Sequence, residues 1–585
     1  MKNKGTSFLE LAQVFELLEK TSSSLEMRDI LAKFLAKIAP KEVQITAYLL
    51  QGKLGPDYKN IEFGLAEKLV LRAITGDDAS FKKLSEEEFK KTGDLGIVAK
   101  LIREKIEGKP KNLSIEDVYN KLFQIASFSG TGSQDNKLRH LFLLIRQVSP
   151  IEAKYIIRIV LGTLRLGVAE MTFIYALSKG FTGTYANKEK IEHAFNVVSD
   201  LGEISFILAK EGLKAIENIK PEPGVPIRMM LAQRVADIEE IKKHIPQDMI
   251  VEYKYDGERV QAHMKSREEV FLYSRRHENI THQFPEIVKN LKETFKGKNV
   301  IVEGEVVAYD KEKDKLLPFQ ELMKRRRKYE ISLFAEKIPT KIFLFDIIYK
   351  NNKSLLGIEL ETRKDILKES FNKNEIIDFS KFIKTNDISD VENFFDEAID
   401  YGAEGVMVKN AEGIYQAGTR GWLWIKFKKD YVKGLADTFD LVVIGGEYGT
   451  GRRAGTYGSL MVAAFDPETN KYYSFTKVGA GFTDEDLKNI PEILDKYKIK
   501  DKHRLVSTNM EVDVWFEPQV VMEVSGAELT ISPVHTVAQD KIKTGGLALR
   551  FPRFIRWRDD KSPEQATTVQ EIYDIYKRTV LKKIN

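Results

Sequence analysis

Apolar and polar residues follow two different periods along the chain, and the period changes twice. Over the first 220 or so residues the apolar positions recur every three or four residues, as in Phe8, Leu11, Phe15 and Leu18. This spacing puts them on one face of a helix, so the segment is predicted to be helical. The stretch from Pro221 to Pro226 contains three prolines and one glycine. It can neither continue a helix nor join a central strand, and it marks a boundary.

Between about residues 227 and 430, short runs of alternating apolar and polar residues are mixed with helical patterns such as Asp387 to Tyr401. The runs predict strands, for example Val300 to Tyr309, Lys341 to Tyr349 and Gly405 to Lys409. From about residue 431 strands predominate and glycine-rich turns separate them. About five strands of this kind suit a small barrel of the oligonucleotide-binding type, followed by a helix from about Thr568 to Leu581.

The patterns predict a multidomain protein with an all-α domain over residues 1–220, an α+β domain over 221–430 and a β-barrel OB-fold domain over 431–585. A chain of 585 residues is long enough for three cores. No apolar run approaches the roughly 18 residues of a membrane span, so no membrane association is expected. The N-terminal segment lacks the apolar stretch of a signal peptide, which predicts a cytoplasmic protein.

Composition narrows the possible chemistry. The chain contains no cysteine, which excludes disulfides, thiolate zinc sites and cysteine nucleophiles. Abundant lysine and glutamate without cysteine is also typical of many thermophile proteins. The net charge of +5 is mildly basic and does not by itself indicate a nucleic-acid partner.

Lys254 is the most informative single residue. An alternating run precedes it, and an Asp256-Gly257 turn and a second alternating run follow it, which predicts a strand, a tight turn and a strand. An amine at a strand end, bracketed by Glu252, Asp256 and Arg259, fits a lysine nucleophile that attacks phosphorus. A surface hairpin that carries charges by chance is the alternative interpretation of this short pattern alone.

Four further segments favour the nucleophile, although each alone could be a purely structural strand. The segment from Val302 to Ala308 places two acids, Glu303 and Glu305, at the end of an apolar strand. An aromatic residue lies within the buried run from Phe343 to Ile347, and the run from Glu404 to Lys409 has an acid and a lysine at its ends. Alternation in the run from Trp424 to Lys429 puts Lys426 and Lys428 on one face.

Together these residues resemble a known family. Lys-x-Asp-Gly-x-Arg resembles the signature of covalent nucleotidyltransferases, the DNA ligases, RNA ligases and mRNA capping enzymes. The whole chain is similar to the ATP-dependent DNA ligases of the archaeal and eukaryotic replicative type. Segments that carry this wider resemblance are Gly130 to Gln134, Leu164 to Gly167, Gly449 to Gly455, Arg550 to Lys561 and Ser562 to Thr568.

The resemblance implies a helical DNA-binding domain, an adenylation domain and an OB-fold domain. It also implies an enzyme that seals nicks in double-stranded DNA in replication, repair and recombination. Lys254 would attack the α-phosphorus of ATP to form a lysine-AMP intermediate. Glu252 would accept a hydrogen bond from the adenine amino group and Phe345 would stack on the ring. Arg259 and Arg275 would hold the ribose or the 5′-phosphate of the nick.

For the remaining residues the resemblance implies binding of phosphate and metal. Glu305 would bind the ribose or a metal ion, and Glu404 a metal ion. Two hard carboxylates without a sulfur or histidine cluster favour Mg²⁺ over zinc. Four cations are expected at the phosphates: Lys426 and Lys428 on the α-phosphoryl group, and Arg558 and Lys561 closing over the triphosphate.

Domain motion is implied as well, because the barrel must move to admit DNA. A hinge is expected in residues 430–437, with Gly434 as the flexible position. The helical domain would grip the DNA backbone without reading sequence. The charged run from Lys324 to Lys328 is either a solvated helix face or a phosphate contact, and the sequence leaves both open.

Other interpretations remain. An mRNA capping enzyme would use GTP but lacks such a helical domain, and an NAD-dependent ligase normally carries a four-cysteine zinc finger. A silent DNA-binding scaffold is disfavoured by the complete set of charged residues. Members of the family usually have a proline where this chain has Met229. A glutamine-led box for binding a sliding clamp is not evident, so that partner stays open, as does the use of ADP, GTP or NAD. A monomer is expected.

Overall fold

The structure is a computed structural model that describes residues 5–92, 94–235, 237–310, 315–317, 319–325, 337–428, 438–449, 456–526, 528–542 and 545–584. Three predicted features fall wholly or partly outside these residues. They are the hinge at 430–437, most of the turn from Gly449 to Gly455 and the positions 326–328 of the charged run. Within the described residues, no helix is both long and apolar enough to cross a lipid bilayer.

The N-terminal region is helical, as the apolar spacing predicted. Phe8, Leu11, Phe15 and Leu18 of the first helix are all fully buried. Its N-cap, Ser7, accepts a hydrogen bond from the backbone of Glu10, which satisfies a donor that the first turn leaves without an intrahelical partner. The helices described here are Phe8–Lys20, Ser24–Leu35, Pro40–Leu49, Glu67–Thr75, Ala79–Thr92, Leu95–Lys105, Ile115–Ser127, Ser133–Gln147, Pro150–Val160, Glu170–Thr182, Lys188–Val198, Leu201–Glu211 and Leu213–Glu217.

The middle region contains two sheets that pack against each other through side chains such as Trp424 of the first and Phe345 of the second. Its strands are β1 Leu231–Arg234, β2 Met249–Lys254, β3 Glu258–Met264, β4 Val270–Ser274, β5 Val300–Asp310, β6 Lys315–Leu316, β7 Thr340–Lys350, β8 Lys353–Ser354, β9 Ile377–Phe379, β10 Phe382–Thr385, β11 Gly405–Asn410 and β12 Arg420–Lys428. The first sheet has the order β1-β12-β11-β2-β10. The second has the order β4-β3-β5-β7-β8, with β6 and β9 at its sides. The helices are Glu239–His244, Pro285–Thr294, Phe319–Met323, Leu360–Ser370 and Ile388–Tyr401.

The C-terminal region is dominated by one curled sheet of eight strands, in which β13 pairs with β14, β18 and β19. Its strands, with a separate pair β20–β21, are β13 Phe439–Tyr448, β14 Tyr457–Asp466, β15 Lys471–Val478, β16 Lys498–Ile499, β17 Val506–Ser507, β18 Val514–Phe516, β19 Val521–Ser525, β20 Glu528–Ser532, β21 Gly546–Arg550 and β22 Arg553–Trp557. The helices are Asp484–Leu494 and Val569–Ile584.

The predicted fold class is confirmed: a helical region, an α+β region and a β-rich region of the barrel type follow one another. The expectation of about five C-terminal strands was wrong, because the described residues contain ten. Several of the additional strands span only two or three residues, too few to show alternation. The residue numbers given for the domain boundaries stay predictions.

Both interpretations of the charged run from Lys324 to Lys328 are wrong at Arg325. This side chain is neither solvated nor available to bind phosphate. Arg325 is 2% exposed, and its guanidinium donates hydrogen bonds to the carbonyl oxygens of Ile338 (3.0 Å) and Gln283 (2.6 Å). It also forms an ion pair with Glu286 at 2.9 Å. Arg325 therefore supports the fold.

The helical and C-terminal regions contact each other directly. Arg165, in the Leu164 to Gly167 loop, donates a hydrogen bond to the carbonyl of Lys498 at 3.0 Å, and its Nε lies 3.9 Å from Glu517. Arg504 of the C-terminal region donates to the carbonyl of Thr21 at 2.6 Å. The loop that resembles a DNA-binding element is therefore covered by the C-terminal region in this arrangement.

Candidate active site

Lys254 ends β2 and faces a cleft, as the strand-turn-strand pattern predicted. Its side chain is 22% exposed. The turn that follows packs tightly on β5, because a Cβ on Gly257 would lie 2.2 Å from the carbonyl oxygen of Val306. A glycine is needed at this close approach, and the turn then directs β3 into the opposite sheet.

Three adjacent strands place the charged side chains of the first sheet in rows. Gly405 of β11 pairs with Lys254 on one side and with Lys428 on the other, and Met407 pairs with Glu252 and Lys426 in the same way. Paired residues of neighbouring strands project from the same face of a sheet. Alternation had predicted the shared face of the two lysines, and the strand order brings that face to Lys254.

Glu404 lies between two of these lysines. Its Oε2 is 3.0 Å from the Lys254 ammonium and 2.7 Å from that of Lys428. Burial alone would raise the pKa of the Glu404 carboxyl, but the charges of Lys254 and Lys428 lower it well below its usual value. The carboxylate therefore stays charged and fixes both ammonium groups at the edge of the cleft.

Two more acids lie near Glu404 and respond differently. Burial raises the pKa of Glu305 to about 8; Lys254 and Arg259 oppose this shift, whereas Glu404 and Asp256 add to it. Burial, with the charge of Glu404, also raises the pKa of Asp256 to about 6. Crowded carboxylates resist ionising together. Glu305 and Asp256, next to Glu404, therefore lack enough neighbouring positive charge to favour their ionised forms.

The second sheet supplies the opposite wall. Arg259 of β3 is held by an ion pair with Glu303 at 2.7 Å and donates to the carbonyl of Met230, also at 2.7 Å. Its guanidinium lies 5.4 Å from the ring centroid of Phe345 and 5.2 Å from that of Trp424. The two aromatic side chains meet edge to face, with centroids 6.3 Å apart. They form an aromatic corner in the cleft, and the face of an aromatic ring is a surface on which a planar base can stack.

The C-terminal region closes the remaining side. Arg558 forms ion pairs with Asp440 at 2.8 Å and Asp560 at 2.7 Å, and Lys561 also pairs with Asp440. Burial, reinforced by the charge of Arg558, lowers the pKa of Lys561 to about 7. Burial likewise lowers the pKa of Lys426 well below its usual value, and the charge of Lys561 adds to this effect. The cations repel one another here, so the site favours an anion.

All eleven residues predicted from the sequence line this one cleft: Glu252, Lys254, Arg259, Arg275, Glu305, Phe345, Glu404, Lys426, Lys428, Arg558 and Lys561. Arg275 reaches it from the end of β4, and burial lowers its pKa to about 10. The structure brings the predicted residues together, whereas their individual chemical roles stay predictions.

Sequence reasoning missed other residues of the cleft. Arg556 forms an ion pair with Glu523 at 2.7 Å and reaches Asp256 of the middle region at 3.5 Å. Lys409 and Asp440 also line the cleft. The sequence indicated Lys409 only as the lysine at the end of its run, although it shares the parity of Gly405 and Met407 along β11 and could have been assigned to the cleft. Nothing local distinguishes Asp440 from any other acid at a strand end.

Carboxylate oxygens suit Mg²⁺, which proteins usually bind through one or two carboxylates together with substrate phosphates. Glu305 and Glu404 offer such a pair in the cleft. Within the described residues, no group of three or more acidic, histidine or cysteine side chains could hold a metal ion by itself. The residues therefore fit an ion that arrives with a phosphate ligand.

A strand-borne lysine that faces acids, an aromatic corner and a cationic wall defines a nucleotidyltransferase site. Three family models match successive parts of the chain: "DNA ligase N terminus" over residues 7–178, "ATP dependent DNA ligase domain" over 229–428 and "ATP dependent DNA ligase C terminal region" over 453–561. The chain belongs to the ATP-dependent DNA ligase family, as its motifs predicted.

The similar proteins are named as ligases and include thermophilic archaeal ones. "DNA ligase 2" of Thermofilum pendens is 47% identical, over 97% of this chain and 96% of that protein. "DNA ligase" of Staphylothermus marinus is 44% identical, over 99% of this chain and 100% of that protein. Among solved structures, a mycobacterial DNA ligase D complexed with ATP and MES is 20% identical with a TM-score of 0.36, and the match covers 58% of this chain and 97% of that one.

Proposed function

We propose that this ligase joins nicks in double-stranded DNA through an adenylate carried on Lys254. The observation that supports this most directly is the position of the Lys254 ammonium, 3.0 Å from Glu404 at the edge of a cleft that also contains an aromatic corner and a cationic wall. We propose that the chain works as a monomer.

In the first step, the Lys254 ammonium loses a proton to solvent and its Nζ, now neutral, attacks the α-phosphorus of ATP. The N–P bond forms, Nζ loses a second proton to solvent, the bond from the α-phosphorus to the bridging oxygen breaks, and pyrophosphate leaves with that oxygen. Lys426 and Lys428 stabilise the charge on the α-phosphoryl oxygens, and Arg558 and Lys561 orient the pyrophosphate. Mg²⁺, held by Glu305 and Glu404 with the phosphates, would supply further positive charge where these acids crowd together.

Two transfers complete the reaction. An oxygen of the 5′-phosphate at the nick attacks the phosphorus of the lysine-bound AMP, the N–P bond breaks, and Nζ of Lys254 takes up a proton from solvent as the DNA end becomes adenylated. The adjoining 3′-hydroxyl then attacks this phosphate, its proton passes to solvent, and AMP departs as the leaving group. Arg259 and Arg275 would hold the phosphate or the ribose through these steps.

Incubation with α-labelled ATP and Mg²⁺ tests the nucleophile. We expect covalent label on the wild-type chain and none on Lys254→Ala. Lys384→Ala is the matched control, because Lys384 is an exposed lysine on β10 of the same sheet and should leave labelling unchanged. Label that persists in Lys254→Ala, or that maps to another residue, would overturn the assignment.

A further inference from the structure

Glu252, the residue that the family resemblance places at the adenine, is held by two lysines that the reaction steps above do not use. It is 2% exposed. The Nζ of Lys409 lies 2.7 Å from its Oε2, and Lys364 forms a close ion pair with its Oε1. Lys409 comes from β11 and Lys364 from the helix Leu360–Ser370. Two separate elements therefore converge on a single carboxylate.

The two lysines are themselves buried. Lys409 is 1% exposed, and its ammonium lies over the rings of Trp424 (4.1 Å) and Phe345 (4.6 Å) that form the aromatic corner. Lys364 is 3% exposed and lies over the ring of Phe382 at 4.9 Å. Buried charges are costly, and apolar residues of similar volume often stabilise a fold as well or better. Stability alone therefore does not account for three charged groups at the base end of the cleft.

The geometry leaves Glu252 able to accept from a ligand. An ionised carboxylate only accepts hydrogen bonds, and each of its oxygens has two lone pairs. Oε2 uses one of them for Lys409. Oε1 uses one of them for Lys364, its close ion-pair partner. One lone pair on each oxygen therefore remains for a donor in the cleft, which Glu252 lines together with Phe345.

We propose that Lys364 and Lys409 are positioning residues that hold Glu252 as a fixed, charged acceptor and thereby select a 6-aminopurine nucleotide over a 6-oxopurine one. This rests on the proposed function, with ATP bound in the cleft and Glu252 at its base as the family resemblance implies. The exocyclic amine of adenine donates to such a carboxylate. The 6-oxygen of guanine presents lone pairs to it, and a site built around one hydrogen bond discriminates strongly against a ligand that cannot form it.

Replacement of Lys364 by a neutral side chain of similar length tests this role. Lys364→Met should raise the KM for ATP in self-adenylylation at least tenfold, with the maximal rate changed less than about threefold because Lys364 touches no reacting atom. The inhibition constant of GTP against the same labelling should stay unchanged or fall. Lys364→Arg keeps the charge and should restore most of the ATP affinity.

Lys368→Met is the matched control. Lys368 lies one turn further along the same helix and also approaches the ring of Phe382, at 4.6 Å, but it is exposed. Its replacement should change none of these constants. A merely structural role of Lys364 would instead move the KM for ATP, the GTP inhibition constant and the maximal rate together, and that result would overturn the proposal.

A double-mutant cycle keeps the test decisive. In a Glu252→Gln background, Lys364→Met should have almost no further effect on the KM for ATP. A tenfold effect that persists there would mean that Lys364 acts elsewhere. If Lys254→Ala abolishes labelling while Lys364→Met leaves the KM for ATP unchanged, this inference fails and the proposed function stands. If Lys254→Ala keeps its label, the proposed function fails.

Discussion

The ammonium group of Lys254 lies 3.0 Å from Oε2 of Glu404, and the ammonium group of Lys428 lies 2.7 Å from the same oxygen. Glu404→Gln removes the charge that separates the two ammonium groups. We expect the single-turnover rate of self-adenylylation to fall about 10²-fold, the scale of losing one preorganised electrostatic contact. Glu397→Gln is the control, since Glu397 pairs with the exposed Lys381. A rate within threefold of the wild type would contradict this prediction.

Arg556 joins the C-terminal and middle regions across the cleft through Glu523 and Asp256. Arg556→Ala should slow self-adenylylation more than tenfold, because the contact belongs to the closed arrangement in which Arg558 and Lys561 reach the cleft. The rate of joining a nick whose 5′-phosphate already carries AMP should change much less. The two steps are separated by rapid-quench assays with ATP or with pre-adenylated DNA. Equal losses in both would refute the role in closure.

Arg363 and Asp346 form an ion pair that is 0% exposed on both sides, with N–O distances of 2.8 and 2.9 Å. Arg363→Met leaves the Asp346 carboxylate buried without its partner. The free energy of unfolding should fall by about 3–5 kcal/mol, measured by denaturant titration. The double variant Arg363→Met with Asp346→Leu also removes the unpaired charge, so its free energy of unfolding should fall by less. A double variant that is no more stable than Arg363→Met would speak against this cause.

Glu517 predicts a pH dependence of the contact between the helical and C-terminal regions. Burial raises its pKa to about 7, opposed by Arg165 and Arg158 and assisted by Asp94. The pKa of Glu517 is higher in the folded than in the unfolded protein. The contribution of Glu517 to the free energy of unfolding is therefore fully present below about pH 4.3 and is lost as the pH rises through 7. Glu517→Gln should therefore gain stability relative to the wild type between pH 5 and pH 8, by up to about 3 kcal/mol.

Denaturation midpoints at both pH values measure this difference. Glu511→Gln is the control, because Glu511 is exposed in the same region. A wild-type minus Glu517→Gln difference that stays constant across the range would show that Glu517 does not titrate in the folded protein within that window.

Local periodicity accounts for what the sequence could predict. Alternation needs only neighbouring residues, so it indicated the strand and turn at Lys254 and the common face of Lys426 and Lys428. It cannot say which strands become neighbours. The row from Lys254 through Gly405 to Lys428 was therefore recognised only through the order of motifs in a known family, and the structure then showed it.

The residues that the sequence did not predict depend on contacts between distant segments. Lys364 lies on a helix whose pattern indicates a buried face but not a carboxylate 112 positions earlier in the chain. Arg325 belongs to a charged run that is typical of a surface, yet carbonyl groups from two other segments surround it. Tertiary packing decides such cases, and composition carries no signal for them.

Gly405 has a φ of +152°, and a Cβ there would lie 2.1 Å from the carbonyl oxygen of Phe427. Even a methyl group would force β11 and β12 apart and would draw Lys428 away from the oxygen it shares with Lys254. A saturation screen for survival should therefore find this position as intolerant as the nucleophile. The need for a residue without a Cβ at Gly405 thus restricts substitution as strictly as the need for an amine at Lys254.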